Sequence, residues 1–243
     1  MKSIVKWLKS LVTKPVNSWK LSPSDFAFLY NRCPRCFYNK VRRIPTLTVP
    51  GYTPIAKIFN TIDSGMKAAF NGIRTEAVCD NIPAGVIEFS ENLNIESLPF
   101  AVDAGDVPLY FKGKYDARIK LDDGTYGIID FKTTQAKQEK MRLYSSQLHS
   151  YAHSVENPAN KGDGFGPVTK LGLLIYEPAS FSFTKGEGKL EGKLTYIPIP
   201  RDDNMFFGFL REVYSLLKSN PPMSNPECQT CNCHWQTKEK RYN

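Results

Sequence analysis

The sequence contains few histidines and lacks the phosphate-binding motifs of common nucleotide-dependent enzymes. Its 3 histidines, His149, His153 and His234, show no spacing that indicates a catalytic triad. Neither a P-loop nor a glycine-rich dinucleotide fingerprint is present, so any helicase or ATPase activity would have to come from another chain. The sequence also has no long low-complexity tract and no convincing internal repeat.

Long apolar runs are also missing. Residues 1–20 place apolar side chains such as Trp7 and Leu11 among lysines, a pattern that argues against a secretory signal peptide or a membrane span. We expect this segment to form an amphipathic helix that packs on the protein, with attachment to anionic lipid as the alternative. We accordingly expect a cytoplasmic protein with no membrane partner.

The composition predicts one folded core domain. With 243 residues and 41% hydrophobic content, the chain can bury a substantial core, and we assign residues 21–243 to a single domain. The formal net charge of +8 suits a polyanionic partner such as DNA or RNA. Charge alone does not select that class, because many basic proteins bind no nucleic acid.

The middle of the chain predicts a β-hairpin. Runs at 110–121 and 125–133 flank Asp122-Asp123-Gly124, a connection with glycine where a left-handed conformation is needed. In the register that this turn sets, Leu121 lies opposite Thr125. Counting back along both strands from that pair places Asp116 opposite Asp130. Two carboxylates are therefore expected on one face.

Alternation along the two strands predicts a core face and a charged face. The core face would hold Tyr115, Ala117, Ile119, Leu121, Gly127, Ile129 and Phe131. The charged face would hold Lys114, Asp116, Arg118, Lys120, Ile128, Asp130 and Lys132.

Adjacent carboxylates repel each other unless a cation lies between them or one is protonated. We predict that Asp116, Asp130 and the carbonyl of Phe131 hold Mg²⁺, which prefers oxygen ligands and also accepts phosphate oxygens. Lys132, two residues after Asp130 and on the same face, is predicted to orient the attacking water. The alternative is a surface hairpin with cross-strand ion pairs.

The helix predicted after the hairpin, at 138–156, presents Gln147 and Tyr151 on one side, because four residues separate them. They are predicted to hold a phosphate, a water or an unpaired nucleotide, whereas such residues taken alone are more often half-buried polar groups.

Other predictions are a helix that starts at Pro23, helices at 55–70 and 205–217, a buried strand at 168–176, strands that flank 186–193, and loops with one or two short strands at 71–108.

Five of the six cysteines lie near the ends of the chain: Cys33, Cys36, Cys228, Cys231 and Cys233. Two Cys-x-x-Cys elements can supply four thiolates to zinc or to an iron–sulfur cluster, and either would staple the two ends together. Buried thiols without a metal are the alternative. Cys79 stands alone and is expected to pack as a small apolar group.

Three motifs follow one another along the chain: Gly113-Lys114-Tyr115-Asp116, Asp130-Phe131-Lys132 and Gln147-Leu148-His149-Ser150-Tyr151. Together they resemble the G-x-x-D, D-x-K and Q-x-x-x-Y pattern of the RecB-type branch of the PD-(D/E)xK nuclease superfamily. The resemblance extends to the early and late cysteines and so spans most of the chain. It implies an α/β restriction-endonuclease-like core, with a mixed central β-sheet flanked by helices, and DNA cleavage that depends on Mg²⁺ or Mn²⁺.

The resemblance also has implications for the metal ligands. Some relatives, including CRISPR-associated exonucleases, bind a four-iron, four-sulfur cluster through one early and three late cysteines. That arrangement implies the ligands Cys33, Cys228, Cys231 and Cys233, with Cys36 as the alternative ligand. In these relatives, the spacing between the last two ligands is generally longer than the single residue between Cys231 and Cys233, so Zn²⁺ stays an alternative to the cluster. Many relatives also carry a metal-binding histidine in a G-x-x-x-H helix; the comparable segment, 63–69, has none, and Asp63 is the candidate substitute.

From the motifs and the resemblance, we predict an exonuclease-like deoxyribonuclease. Asp116 and Asp130 would hold the ion, Lys132 would assist the attacking water, and Gln147 and Tyr151 would position single- or double-stranded DNA. A helicase or a recombination or replication protein is a candidate partner, and DNA repair or recombination a candidate pathway. One alternative is a catalytically inactive nucleic-acid-binding or assembly subunit on the same fold; another is a zinc-stapled interaction protein.

Overall fold

A computed structural model of the chain describes residues 17–45, 56–89, 94–136 and 141–231. Most of the predicted amphipathic segment, as well as Cys233, lies outside these ranges. Strands and helices are numbered here in chain order.

The strands are β1 (Trp19–Leu21), β2 (Gly85–Glu88), β3 (Asn94–Glu96), β4 (Leu109–Lys114), β5 (Ala117–Leu121), β6 (Tyr126–Thr133), β7 (Val168–Thr184) and β8 (Glu187–Ile199). The helices are α1 (Pro23–Asp25), continued by a π-helical turn (Phe26–Tyr30), then α2 (Pro34–Val41), α3 (Lys57–Phe70), α4 (Met141–Glu156) and α5 (Asp203–Lys218). Short 3₁₀ turns occur at Thr75–Ala77 and Lys161–Asp163.

In the described ranges, the strands form a larger and a smaller sheet. The larger sheet has the order β2-β5-β6-β7-β8; β6 and β7 are parallel, and their connection contains α4, whereas the other neighbours are antiparallel. The smaller sheet has the order β1-β4-β3, with β1 parallel to β4. This mixed α/β architecture, with helices packed on a central sheet, fits the predicted fold class.

The hairpin register is confirmed. Ala117 pairs with Ile129, and Lys120 pairs with Tyr126, as the predicted turn requires. Gly124 has a φ of +84°, the left-handed conformation that glycine adopts without steric cost, and its N–H donates to the carbonyl of Leu121. The turn chemistry of the sequence was therefore sufficient to set the pairing.

The first hairpin strand is interrupted, which corrects one predicted face. The chain leaves β4 after Lys114 and enters β5 at Ala117, so Tyr115 and Asp116 lie between the two strands. Tyr115 consequently packs in the cluster that contains Ile128, on the α4 side of the sheet, instead of beside Ala117. Strict alternation fails at this position because the backbone is no longer in a continuous strand.

Both faces of the larger sheet are covered. On one face, Ile128 packs with Leu148 of α4, and on the other, Ile129 packs with Met66 of α3. The face predicted to be charged is therefore buried where α4 crosses it, around Ile128 and Asp130. The hairpin sequence could not indicate this, because the covering helix comes later in the chain.

Strands β7 and β8 extend further than predicted. The predicted strand at 168–176 continues to Thr184, and the segment at 187–193, expected to separate two strands, is itself part of β8. The chain reverses at Gly186, which has a φ of +88°. This ribbon is largely exposed, so it lacks the alternation of a half-buried strand from which its extent could have been predicted.

The remaining elements follow the sequence closely. Helices α3 and α5 and two short strands within 71–108 occur where they were expected. Pro23 begins α1 as predicted, although the Ser22 side chain forms no capping hydrogen bond. In the part of the chain that the structure describes, no helix combines the length and apolar character needed to cross a membrane.

Candidate metal site and cysteine cluster

The predicted acids meet beside α4, where the chain enters β5 and where β6 carries Asp130. Asp130 is only 3% exposed, and its Oδ1 accepts a hydrogen bond of 3.1 Å from Nε2 of Gln147. The Lys132 ammonium group contacts the other carboxylate oxygen of Asp130. Asp130 and Lys132 of β6 and Gln147 of α4 therefore form one polar cluster around the buried Asp130 carboxylate.

Asp116 joins this group through the backbone of β6. Its Oδ2 accepts a hydrogen bond of 2.9 Å from the N–H of Phe131, the residue that follows Asp130. The carboxyl groups of Asp116 and Asp130 are thereby close enough to interact. The Phe131 N–H thus orients one acid, whereas its carbonyl stays a predicted metal ligand.

The negative charge of Asp130 is only partly balanced by the positive charge around it. Burial raises the pKa of Asp130, the Lys132 ammonium group lowers it and the nearby Asp116 raises it, and together these effects bring it to about 6. Burial also disfavours the charge on Lys132, but Asp130 outweighs this effect and raises the pKa of the lysine. Lys132 is therefore an ammonium group at neutral pH.

Lys67 of α3 also contacts the site, and the sequence analysis missed it. Its Nζ lies 2.8 Å from Oδ1 of Asp116 and 2.8 Å from Oδ2 of Asp63. The four-residue spacing of Asp63 and Lys67 indicates an ion pair on a helix surface, but nothing in the sequence places that pair beside Asp116. Asp63, the candidate substitute for the missing histidine, thus approaches Asp116 through a shared lysine.

Gln147 and Tyr151 lie on the same side of α4, but their polar groups have different contacts. Gln147 reaches Asp130, whereas the hydroxyl of Tyr151 donates to the carbonyl of Lys114 at 2.7 Å. A Cβ atom at Gly113 would lie 3.1 Å from Cε1 of Tyr151, so glycine permits the close approach of the helix. Tyr151 therefore fixes the end of β4, two residues before Asp116.

Aromatic rings surround the Lys132 ammonium group. Its Nζ lies 4.7 Å from the ring centroid of Tyr144 and 5.8 Å from that of Phe28, which is in the π-helical turn. Rings at these distances attract a cation and hold it in place. Phe28 is remote in sequence from the three motifs, and no local pattern indicated that it would reach Lys132.

The residues present fit a hard divalent cation. Two carboxylates lie side by side, and the pKa of the buried one is raised, a conflict that a bound cation would relieve. Oε1 of Gln147 is also buried, without a hydrogen-bond partner in the described ranges, and is free to accept from a metal-bound water. Asp116 and Asp130 would hold such an ion.

A second group of ligand atoms consists of four buried cysteines: Cys33, Cys36, Cys228 and Cys231. Their sulfur atoms all lie within 4.8 Å of one another. Sγ of Cys36 is 3.5 Å from the sulfurs of Cys228 and Cys231, and Sγ of Cys33 is 3.8 Å from that of Cys231. Cys36, the alternative ligand of the sequence analysis, is therefore within the cluster, which could bind a metal.

The protonation of the cysteines depends on burial and on backbone contacts. Burial raises the pKa of Cys36, and it raises that of Cys231 to about 12. Burial opposes the ionisation of Cys33 as well, but hydrogen bonds from the backbone of Asn225 and Cys36 lower its pKa to about 7. Cys79 lies apart from the cluster, half-buried against the apolar side chains on the α3 face of the sheet.

A solved structure described as "Crystal structure of SSO0001" is similar to the chain, with a TM-score of 0.49 and 18% identity over 90% of this chain and 88% of that chain. No curated protein matches the chain. The family model of the PD-(D/E)XK nuclease superfamily matches residues 67–236, which is more than half of the 243 residues and includes Asp116, Asp130 and Lys132. The chain therefore belongs to the PD-(D/E)XK nuclease superfamily.

Proposed function

We propose that this protein is a nuclease that hydrolyses DNA phosphodiester bonds with Mg²⁺ or Mn²⁺. The observation that carries the proposal is the buried Asp130, which has a raised pKa and lies between the acid Asp116 and the ammonium group of Lys132. A fold gains no stability from a buried acid, Asp130, placed next to the half-buried acid Asp116, so their position indicates a cation-binding role. Membership of the nuclease superfamily supports the same reaction class.

Each residue of the site has a distinct role in the proposed reaction. Asp116 and Asp130 hold the ion, which when bound polarises the phosphate and lowers the pKa of a coordinated water. Because its pKa is raised, Lys132 acts as a hydrogen-bond donor that orients water and stabilises negative charge, not as a proton acceptor. Gln147 fixes the Asp130 carboxylate through Nε2 and offers Oε1 to a water, while Tyr151 positions the segment that carries Asp116.

A basic pocket beside the smaller sheet supports a nucleic-acid substrate. It is lined by the side chains of Lys20, Ser22, Asp25, Lys40, Val41, Arg43 and Lys112. Lys40 is paired with Asp25, and Lys112 is paired with Glu96, so part of the positive charge is neutralised. We propose that Lys20 and Arg43 bind backbone phosphates, because neighbouring cationic side chains attract a polyanion.

We also propose a branch of the superfamily, a type of nuclease activity, a pathway and a partner. The order of the G-x-x-D, D-x-K and Q-x-x-x-Y motifs supports the RecB-type branch and an exonuclease-like activity. We propose DNA repair or recombination as the pathway, with a helicase or a recombination or replication protein as partner. We further propose that the cysteine cluster holds a metal that supports the fold and takes no part in hydrolysis.

The direct experiment incubates the full chain with end-labelled single- and double-stranded DNA in the presence of Mg²⁺ or Mn²⁺. We expect metal-dependent cleavage that Asp130→Asn and Lys132→Ala both abolish. The matched control is Asp123→Asn, which changes an exposed acid in the turn of the same hairpin. Cleavage that survives Asp130→Asn would contradict the proposed site.

A catalytically inactive DNA-binding protein is the second candidate, and one observation favours it. Each acid of the site already contacts a lysine of the chain, since Lys67 contacts Asp116 and Lys132 contacts Asp130. Salt-sensitive DNA binding without cleavage would support this candidate.

The basic pocket provides a separate test of DNA binding. We expect the double variant Lys20→Ala/Arg43→Ala to weaken DNA binding at all sequences and to reduce the slope of log K against log salt by roughly 1 to 2. The control is Lys161→Ala/Lys185→Ala, which removes two exposed lysines that do not line the pocket. Equal weakening by both double variants would show that only net charge matters.

A further inference from the structure

We propose that Cys33, Cys36, Cys228 and Cys231 bind a single Zn²⁺ ion as a closed four-thiolate site. The proposal concerns the architecture of the protein and is independent of its nuclease activity. It rests on the spacing of the sulfur atoms, on the arrangement of the two Cys-x-x-Cys elements and on the segments that they connect.

The sulfur spacing matches a single tetrahedral ion. A zinc–sulfur bond of about 2.3 Å places the sulfurs of a tetrahedral site about 3.8 Å apart. The separations of 3.5, 3.5 and 3.8 Å in the structure are close to that value, and no pair of the four exceeds 4.8 Å. In a four-iron cluster, each thiolate binds a different iron atom, so the iron–iron separation adds to the distance between sulfurs. The observed cluster is too small for that arrangement.

The local structure supplies the ligands as two pairs. Cys33 immediately precedes α2, and Cys36 lies in its first turn, which brings two sulfurs to one end of the helix. Cys228 and Cys231 have the same spacing, and Cys231 lies in a short helical turn near the other end of the chain. Two pairs complete a tetrahedral site, and the set requires no contribution from Cys233.

The site connects two segments that hydrogen bonds also join. The Arg35 guanidinium group donates to the carbonyl of Pro222 at 3.0 Å, and the amide of Asn225 donates to the carbonyl of Arg32 at 2.9 Å. All four cysteines are less than a tenth exposed, so the thiolate site is closed to substrate. Zinc with four protein ligands has no open position for catalysis, which fits a structural ion.

The first experiment measures metal in the full chain, purified without a metal-affinity tag under air-free conditions. We expect about one zinc per chain by elemental analysis, together with a colourless protein that contains no acid-labile sulfide. Replacement of zinc by Co²⁺ should give the visible absorption of a tetrahedral tetrathiolate site. These measurements use the unaltered chain and do not depend on whether a variant folds.

Three serine variants then identify the ligands. We expect Cys36→Ser to lose at least about nine-tenths of the zinc, because a four-ligand structural site tolerates no missing thiolate. Cys233→Ser and Cys79→Ser should retain it, and Cys79→Ser is the matched control because that cysteine is partly buried elsewhere. Circular dichroism and gel filtration show whether each variant is folded.

Several results would overturn the proposal. Iron with sulfide, lost in Cys233→Ser and retained in Cys36→Ser, would identify the one-early, three-late cluster instead. Iron without sulfide would show that the site binds a single metal ion other than zinc. The absence of stoichiometric metal from the unaltered chain would show that the four cysteines are free thiols. Zinc that persists in a folded Cys36→Ser protein would contradict the ligand set.

Discussion

The carboxylate site and the cysteine cluster both gather metal ligands, but the chain balances their charge in different ways. Lys132 and Lys67 already contact Asp130 and Asp116, so the acids have cationic partners within the protein. The four thiols, in contrast, contact one another. The carboxylate site can therefore fold before an ion binds and can exchange that ion. The cysteine cluster, in contrast, is held together by the Zn²⁺ ion that we propose.

The largest expected difference appears when one ligand is removed from each site. Asp130→Asn should lower the rate of DNA cleavage on the order of 10³-fold, because it removes charge that holds the ion at the reacting phosphate. Cys36→Ser should instead lower the melting temperature by about 10 °C, because a bound structural ion stabilises only the folded state.

Parallel measurement of the cleavage rate per folded molecule and of the melting temperature checks this pair. Cys79→Ser and Asp123→Asn are the controls, and we expect little change in either quantity. A Cys36→Ser protein that melts like the unaltered chain would remove the distinction between an exchangeable and a structural site.

A smaller effect is expected at Lys67. The ammonium group of Lys67 contacts Asp116 and Asp63 at 2.8 Å each, so a divalent ion must compete with it. Lys67→Gln should therefore bind Mn²⁺ about tenfold more tightly, which isothermal titration calorimetry can measure. Lys57→Gln, on an exposed part of the same helix, is the control. Unchanged or weaker Mn²⁺ binding would show that the lysine does not compete for the ion.

The smallest expected effect comes from two tyrosines that make similar bonds in the two regions. Tyr151 donates to the carbonyl of Lys114 beside the acids, and Tyr38 donates to the carbonyl of Ser219 on the cysteine side. Each change to phenylalanine should cost about 1 kcal/mol of unfolding free energy. Only Tyr151→Phe should also change the Mn²⁺ affinity, because only that bond fixes the segment that carries Asp116.

Urea unfolding and Mn²⁺ titration of the two variants provide the comparison. If Tyr38→Phe altered the Mn²⁺ affinity as much as Tyr151→Phe did, the two regions would be coupled, and the separation of their roles would be wrong.

Much of the carboxylate site could be predicted because its main constraints are local. The turn at Gly124 sets the register, which runs to the pair Ala117 and Ile129, and Asp116, one residue before that pair, accepts from the N–H of Phe131 beside Asp130. The two-residue spacing then places Lys132 on the same side of the strand. The prediction was less successful at Tyr115, where the strand is interrupted and alternation no longer applies.

The sequence by itself determined which residues could meet within the hairpin and that two Cys-x-x-Cys elements were available. Only the tertiary structure decided that Lys67 contacts Asp116, that Phe28 lies near Lys132 and that Cys36 belongs to the cysteine cluster. The reason is physical: a turn fixes the positions of near neighbours through backbone geometry, whereas contacts between distant segments depend on how all the helices pack on the sheet.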